Sequence, residues 1–122
     1  MGWFKIRGTA AGFVFDLENR LGEIIAVSQT YKTVKNALHG AGSVQKTAPK
    51  AHFEDRTVPD YKKDLNPRFE LEKNDFETYQ LSLRAKNGQV ILLCQDIPTK
   101  EAALSLLEAI RKTSQTAKII QI

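Results

Sequence analysis

The sequence predicts an α+β protein made of two tandem β3-α-β repeats that share one core and one sheet. The chain aligns with itself at an offset of 66 residues without a gap, so that 13–56 matches 79–122. In each copy, short alternating segments precede an amphipathic helical pattern. Because 122 residues make about one domain and neither half alone can bury much surface, we expect the copies to fold together.

The second strand of each copy is predicted from apolar residues at every second position. This alternation is clear in 13–17 and in 79–83, and it places one face of each strand on a core. Shorter segments with apolar ends at 4–6 and 69–71 predict the first strand of each copy, which precedes the alternating strand.

The third strands are predicted at 23–29 and 89–95, where near-continuous apolar runs favour partial cover on both faces. Asn87-Gly88 predicts a type I′ hairpin turn before the second of them. Leu21-Gly22 holds this place in the first copy, and since leucine disfavours a positive φ, we expect a wider or bulged turn there.

A helix follows in each copy, with Thr33 and Thr99 as the predicted N-caps. Each helix is expected to bury one apolar stripe. The stripes are Ala37, Leu38, Ala41 and Val44 in the first copy, and Ala103, Leu104, Leu107 and Ile110 in the second. Gly40 and Gly42 weaken the first helix, so we expect them to permit close approach of the sheet or the other copy. A ligand that contacts the bare backbone is the other interpretation.

Short final strands are predicted at 52–55 and 118–121. The segment between the copies is polar and contains Pro59 and Pro67, which is typical of a linker. The predicted organisation is therefore a first repeat over 1–57, a linker over 58–68 and a second, diverged repeat over 69–122.

Composition excludes several classes of protein. With 42% hydrophobic and 26% charged residues, the chain is expected to fold and stay soluble. Apolar runs are far shorter than the roughly 20 residues of a membrane helix, and the first residues lack signal-peptide character, so we expect a cytoplasmic protein. The single cysteine, Cys94, is expected to be a buried filler, and no cofactor or metal motif is present.

The net charge of +4 is dispersed along the chain, with no polybasic arm. Nucleic-acid binding nevertheless stays an alternative, because a sheet with aromatic and basic side chains can stack bases and meet phosphates. The candidate contacts are Lys5, Arg7, Arg84 and Lys86, beside the aromatic residues Trp3, Phe13, Phe15, Phe69 and Tyr79.

The first copy contains two motifs, G-E-I-I-x-x-S-Q-x-Y at 22–31 and A-x-x-G-x-x-S-V-x-K-x-A-P at 37–49. With these motifs it closely resembles the YegP-like family, a bacterial domain of unknown function. The second copy has departed from it, with Cys94 in place of the serine and Ile97 in place of the tyrosine. The resemblance implies two β3-α-β units joined in one sheet, and it implies no reaction, cofactor or substrate.

No catalytic group is predicted. His39 lies off the apolar stripe and is expected in solvent, while His52 with Glu54 gives too few ligands for a metal site. Carboxylate pairs such as Glu70 and Glu72, or Glu54 and Asp55, are expected on solvated strand faces and turns, without an acid–base role.

The most polar cluster of the first copy lies at the end of its third strand and on its helix. It comprises Ser28, Gln29, Tyr31, Ser43 and Lys46, our candidate ligand or interaction patch. A structural role for Tyr31 at the core edge is the other interpretation. We therefore expect a non-enzymatic binding or interaction module with an unknown protein partner, acting as a monomer. A cryptic enzyme would instead need a pocket holding Tyr31, Ser28 or His52.

Overall fold

The computed structural model describes residues 2–121, so Met1 and Ile122, the outermost residues of the two predicted repeats, lie outside the described residues. It contains one eight-stranded sheet and two α-helices, which confirms the mixed α+β class. The strands are β1 (Gly2–Thr9), β2 (Gly12–Asn19), β3 (Ile24–Val27), β4 (His52–Asp55), β5 (Arg68–Lys73), β6 (Tyr79–Arg84), β7 (Val90–Ile97) and β8 (Lys118–Gln121). The helices are α1 (Val34–Thr47) and α2 (Lys100–Thr116), and a 3₁₀ turn at Ala48–Lys50 follows α1.

The strand order is β4-β5-β6-β7-β3-β2-β1-β8. In each half of the chain three antiparallel strands form a meander, and the strand after the helix joins the other half. Thus β4 pairs in parallel with β5, and β8 pairs in parallel with β1. At the centre, β3 and β7 pair through Val27 and Leu93. The halves are therefore held together at both edges of the sheet by exchange of their last strands.

Both helices pack on one face of the sheet and enclose a single core. Phe4 faces Leu17 across β1 and β2, and Phe69 faces Leu83 across β5 and β6. The small side chains of the helices, such as the fully buried Ala37, let the helices lie close to these aromatic rings.

The predicted N-caps are confirmed. Thr33 Oγ1 accepts from the backbone N–H of Asn36 at 3.0 Å, and Thr99 Oγ1 accepts from Ala102 at 3.1 Å. The predicted stripes are wrong at Leu38 and Leu104, which are more than a third exposed. Each lies one position beyond the buried alanine, which turns it about 100° away from the sheet. Neither helix is long and apolar enough to cross a membrane.

The hairpin between β6 and β7 differs from the predicted type I′ turn. Gly88 has a positive φ of 87°, whereas Asn87 is not among the positive-φ residues of the described chain. Gly88 N–H donates to Ala85 O, and Ala85 N–H donates to Gln89 O. These bonds define a three-residue loop in which glycine takes the left-handed position after a type I turn. Gly22, with φ 80°, ends the corresponding turn of the first half, in line with the wider turn expected there.

The two glycines of α1 have different surroundings. A Cβ at Gly40 would overlap the hydroxyl and ring of Tyr31, so the expected close approach is confirmed at this position. A Cβ at Gly42 would have no atom within 4 Å, so the same expectation is wrong there.

The connection between β4 and β5 folds back beside the edge of the sheet on the face without helices. The backbone N–H of Asp64 donates to Glu54 Oε1 at 2.7 Å, and Arg68 Nη1 donates to the carbonyl of Asp64 at 2.8 Å. This connection therefore covers the Glu54 side chain and borders the surface that the next section describes.

Candidate ligand site on the open sheet face

The face of the sheet without helices, which we call the open face, carries charged and polar side chains. A row of directly paired residues crosses this face from β4 to β1: Glu54, Glu70, Ser82, Leu93, Val27, Asp16 and Lys5. At the β1 end, Lys5 Nζ lies 3.0 Å from Glu18 Oε1, and Arg7 Nε lies 2.7 Å from Asp16 Oδ2. Cations and carboxylates thus alternate, and the face has no large excess of either sign.

The other end of the open face holds a denser group, which we call the arginine–glutamate cluster. Its members are Arg56, Arg68, Arg84, Glu54, Glu70 and Glu72. The Glu54 and Glu70 side chains are almost fully buried, at 0% and 1% exposure. Arg56 Nε donates to Glu54 Oε2 at 2.5 Å, and Arg68 Nη2 lies 2.6 Å from Glu70 Oε2. The two buried carboxylates are therefore held by several charge-assisted contacts.

These contacts decide the ionisation of the buried carboxylates. Burial by itself raises the pKa of Glu54, but hydrogen bonds from Arg56 and from the Asp64 N–H outweigh burial and hold that pKa below its ordinary value. Burial likewise opposes ionisation of Glu70, and the hydrogen bonds and charges of the neighbouring arginines lower its pKa. Both groups are consequently carboxylates at neutral pH.

Arg84 is the arginine of the cluster that also faces a cavity. Its Nε lies 3.0 Å from Glu70 Oε1, yet this buried N–H makes no aligned hydrogen bond with a described residue. Its Nη1 donates to the carbonyl of Gly88 at 2.8 Å, which ties the side chain to the β6–β7 turn. The turn therefore positions the guanidinium at the wall of the cavity.

The cavity on the open face has a volume of about 360 Å³, within the range of small-molecule sites. Its lining comprises Ser28, Gln29, Glu70, Glu72, Gln80, Ser82, Arg84, Val90 and Leu93. Arg84 and Glu72 are partly open to solvent, with side-chain exposures of 32% and 44%. The cavity thus offers one accessible cation, one accessible carboxylate, neutral amides and hydroxyls, and two apolar side chains.

A second cavity, of about 370 Å³, lies beside α1 and the β6–β7 turn. Gln29, Tyr31 and Ser43 line it together with His39 and Gly40, and no carboxylate, lysine or arginine takes part. The Tyr31 hydroxyl is buried without a hydrogen-bond partner among the described residues. Burial raises the pKa of Tyr31, and the Gln29 side chain partly offsets that rise.

Comparison with known proteins shows the same overall fold in two solved structures. Residues 9–55 match the model of a domain of unknown function, DUF1508. The solution structure of yegP from E. coli, a protein of unknown function, is 21% identical and has a TM-score of 0.79, with 98% of this chain and 91% of that chain covered. The UPF0339 protein SO3888 from Shewanella oneidensis is 22% identical, with the same TM-score and coverage of 98% and 90%. The YegP-like resemblance is confirmed. The curated proteins gave no significant match.

The YegP-like motif residues of the first half have clear structural roles. Ser28 Oγ accepts from the Phe15 N–H at 2.9 Å and donates to the Gln29 carbonyl at 2.7 Å, which completes the irregular end of β3. Tyr31 stacks on Phe15 with ring centroids 6.1 Å apart, and Gly40 leaves room for its ring. Much of the motif therefore serves packing at the junction of β2, β3 and α1.

The predicted ligand patch is divided by the structure. Gln29, Tyr31 and Ser43 line the cavity beside α1, whereas Ser28 and Gln29 line the cavity on the open face. Lys46 is exposed on α1 and lines neither cavity. Only Gln29 belongs to both cavities, so the five residues do not form one continuous site.

The predicted nucleic-acid contacts are also separated. Lys5, Arg7 and Arg84 lie on the open face in ion pairs, and Lys86 is exposed in the β6–β7 turn. Of the aromatic residues predicted beside them, Phe15 and Phe69 are fully buried in the core under the helices. Nucleic-acid binding by stacked bases and phosphate contacts on one face of the sheet stays a prediction, and this arrangement does not favour it.

The expectation that strand carboxylates are solvated is wrong for Glu54 and Glu70. Both are buried because the arginines and the folded-back connection cover them. One signal was present in the sequence: Arg68, Glu70 and Glu72 alternate on one face of a predicted strand, which is typical of a paired charged face. The arginine partners on β6 and after β4 could only be assigned once the strand order was known.

Proposed function

We propose that the protein is a non-enzymatic binding module and that it holds a small zwitterion in the cavity on the open face. One observation carries this proposal: a cavity of ligand size is lined by Arg84 and Glu72, which each have one ion-pair partner in the cluster and yet remain partly exposed to the cavity. Buried ion pairs seldom add net stability, so the cluster is better explained as support for a site.

The chemistry of the lining defines the ligand. Arg84 can donate to a carboxylate, because a guanidinium has five N–H groups and the bond to Gly88 uses only one of them. Glu72 can accept from an ammonium group. The two residues are four positions apart on neighbouring paired strands, roughly 13 Å along the sheet before their side chains reach inward. This span suits zwitterions between an amino acid and a dipeptide in size, with Val90 and Leu93 available to an apolar side chain.

Binding is favoured over catalysis by what lines the cavity. Its described lining contains no histidine or cysteine, and the Ser28 hydroxyl is occupied by two backbone groups. Cys94 lies in the core, where burial raises its pKa to about 12, so its thiol is a poor nucleophile at neutral pH. The other serine of the lining, Ser82, lies opposite Glu70, whose pKa is lowered by the neighbouring arginines, so this carboxylate is a weak general base.

A thermal unfolding screen tests the proposed ligand class. The purified protein is heated with single amino acids and with dipeptides at millimolar concentration, and with N-acetylated amides of the same residues as uncharged controls. A ligand at 100 times its dissociation constant adds about 2.7 kcal/mol to the free energy of unfolding, so a binder raises the melting temperature clearly. Zwitterions should raise it and the amides should not.

Single variants test whether a rise in melting temperature with a zwitterion depends on the cavity. Glu72→Gln and Arg84→Gln each remove one of the two accessible charges and should abolish the stabilisation. Lys86→Gln removes an exposed cation two residues beyond Arg84 and should leave the stabilisation intact. Equal loss in all three variants, or stabilisation by the amides alone, would overturn the proposal.

We also propose that the two halves are tandem repeats, over 1–57 and 69–122 with a linker at 58–68, and that the protein acts as a cytoplasmic monomer. Support comes from the identical element order of the halves and from their exchanged last strands, which one chain supplies by itself. Light scattering at micromolar concentration should give a mass close to 13.7 kDa. A dimer mass would contradict the monomer.

A further inference from the structure

The net charge of the protein comes from one segment of the chain that contains α1, so the expectation of a dispersed charge is wrong for this segment. Residues 24–53 contain four lysines and no aspartate or glutamate, while the remainder of the chain holds fourteen basic and fourteen acidic residues. The formal excess of +4 therefore belongs to α1 and its flanking segments. The lysines concerned are Lys32, Lys35, Lys46 and Lys50.

These lysines are available to a partner. All four are exposed, and none of them forms an ion pair with another residue of 2–121. This contrasts with the open face, where Lys5, Arg7 and Arg84 are paired. Exposed lysines without an ion pair among residues 2–121 thus occur on α1 and beside it, whereas of the predicted nucleic-acid contacts only Lys86 is in this state.

The helix arranges this charge as a stripe. Lys35, His39, Gly42 and Lys46 follow each other at intervals of four, three and four residues, which places them on one side of α1 over about 16 Å. The first turn of α1 contains no acidic residue, so Lys35 adds to the positive end of the helix dipole instead of compensating it. Helix stability therefore accounts for Lys46, which lies in the last turn near the negative end of the dipole, but not for Lys35.

Gly42 provides an independent observation at the middle of the stripe. Glycine is among the poorest helix formers, and a Cβ at Gly42 would meet no atom within 4 Å. The fold therefore gives no reason for glycine here, unlike Gly40, which accommodates Tyr31. A bare backbone on an exposed basic stripe does allow a partner to approach the helix closely.

The second half of the chain lacks this stripe. At the 66-residue offset, Glu101, Ser105, Glu108 and Lys112 of α2 correspond to Lys35, His39, Gly42 and Lys46. Two carboxylates thus replace a lysine and the glycine on the matching side of α2. Of the two helices, only α1 carries the basic stripe, so α2 serves as a comparison within the same chain.

We propose that the α1 stripe binds nucleic acid through the phosphate backbone. Protein interfaces are depleted in lysine and enriched in aromatic residues, and the stripe has lysines but no aromatic side chain. Isolated lysines are suited to phosphates as point charges, without base readout. With at most four lysines in contact, the slope of log K against log salt should be no steeper than about −4.

Fluorescence anisotropy with a labelled DNA duplex of about 20 base pairs, at salt from about 50 to 200 mM, tests the proposal. Wild-type protein should bind, and the double variant Lys35→Gln/Lys46→Gln should weaken binding about tenfold or more and reduce the salt slope by about two. The matched control Lys62→Gln/Lys63→Gln removes the same charge from other exposed positions and should bind like the wild type. Single-stranded DNA and RNA of equal length show which nucleic acid is preferred.

Gly42→Ala separates binding from folding. The variant should melt at a temperature about 3 to 6 °C higher, since alanine favours the helix and meets no clash, yet it should bind duplex more weakly. Unchanged duplex binding by Gly42→Ala would overturn the claim that the nucleic acid approaches the helix backbone closely at Gly42. Absence of wild-type binding at about 50 mM salt, or equal weakening in both lysine double variants, would overturn the proposal as a whole.

Discussion

Arg84 Nε lies 3.0 Å from Oε1 of the buried Glu70 without forming an aligned hydrogen bond. Arg56 and Arg68 form ion pairs with the other carboxylate oxygen of Glu70, so the charge of Glu70 does not depend on Arg84 alone. Arg84 is instead held by the Gly88 carbonyl at the wall of the cavity. This arrangement directs the Nε edge of Arg84 to Glu70 and leaves the side chain 32% exposed at the cavity, which is the basis of the proposed zwitterion site.

Acid should destabilise the protein through its buried carboxylates. The folded-state pKa values of Glu54 and Glu70 are lowered, so the unfolded chain takes up protons first as the pH falls below the ordinary glutamate value of about 4.3. The stability that these groups contribute is complete above that pH and is lost as the pH falls through the lower folded values. Urea unfolding between about pH 7 and pH 3 should show the free energy of unfolding decreasing below about pH 4.5. A free energy that stays constant over this interval would contradict the ion-paired cluster.

Gly40→Ala should destabilise the fold. Alanine gains about 1 kcal/mol of helix propensity, but its Cβ would overlap the Tyr31 ring, which is fixed by stacking on Phe15. Overpacking of this kind costs about 1 to 3 kcal/mol, so we expect a net loss of about 1 kcal/mol in urea unfolding. Gly42→Ala on the same helix is the matched control and should gain stability. A gain in both variants would show that Tyr31 does not occupy the space above Gly40.

Much of the architecture could be predicted from local patterns. The N-caps at Thr33 and Thr99 and the final strands at 52–55 and 118–121 follow from short-range signals and are found where expected. The predicted burial of Leu38 and Leu104 is wrong because both lie at the margin of the apolar face of their helix, and the sheet covers only the centre of that face. The burial of Glu54 depends on a connection that folds back from ten residues away, which no local pattern encodes.

Replacement of Tyr31 by phenylalanine should not destabilise the protein. The hydroxyl is buried without a hydrogen bond to any described residue, and an unsatisfied buried hydroxyl costs about 1 to 3 kcal/mol. Tyr31→Phe should therefore leave the free energy of unfolding unchanged or raise it by about 1 kcal/mol, as measured by urea titration. A loss of more than about 1 kcal/mol would show that the hydroxyl has a partner that stabilises the fold.

Cys94 should be unreactive in the folded protein. Its side chain is buried, and burial raises the pKa of the thiol to about 12. Labelling with a colorimetric disulfide reagent at neutral pH should be slow in the native state and rapid in concentrated urea. Rapid labelling of the native protein would place the thiol at the surface.

A nitrogen–proton NMR titration of the full chain tests the proposed site most directly. The probe is the dipeptide or amino acid that gives the largest rise in melting temperature, added to the wild type and to Arg84→Gln. Shifts are expected at the amides of Ser82, Arg84, Val90 and Leu93 on the open face and should disappear in the variant. Shifts centred on Tyr31, Gly40 and Ser43 beside α1, or no saturable shifts at any amide, would contradict a zwitterion site on the open face.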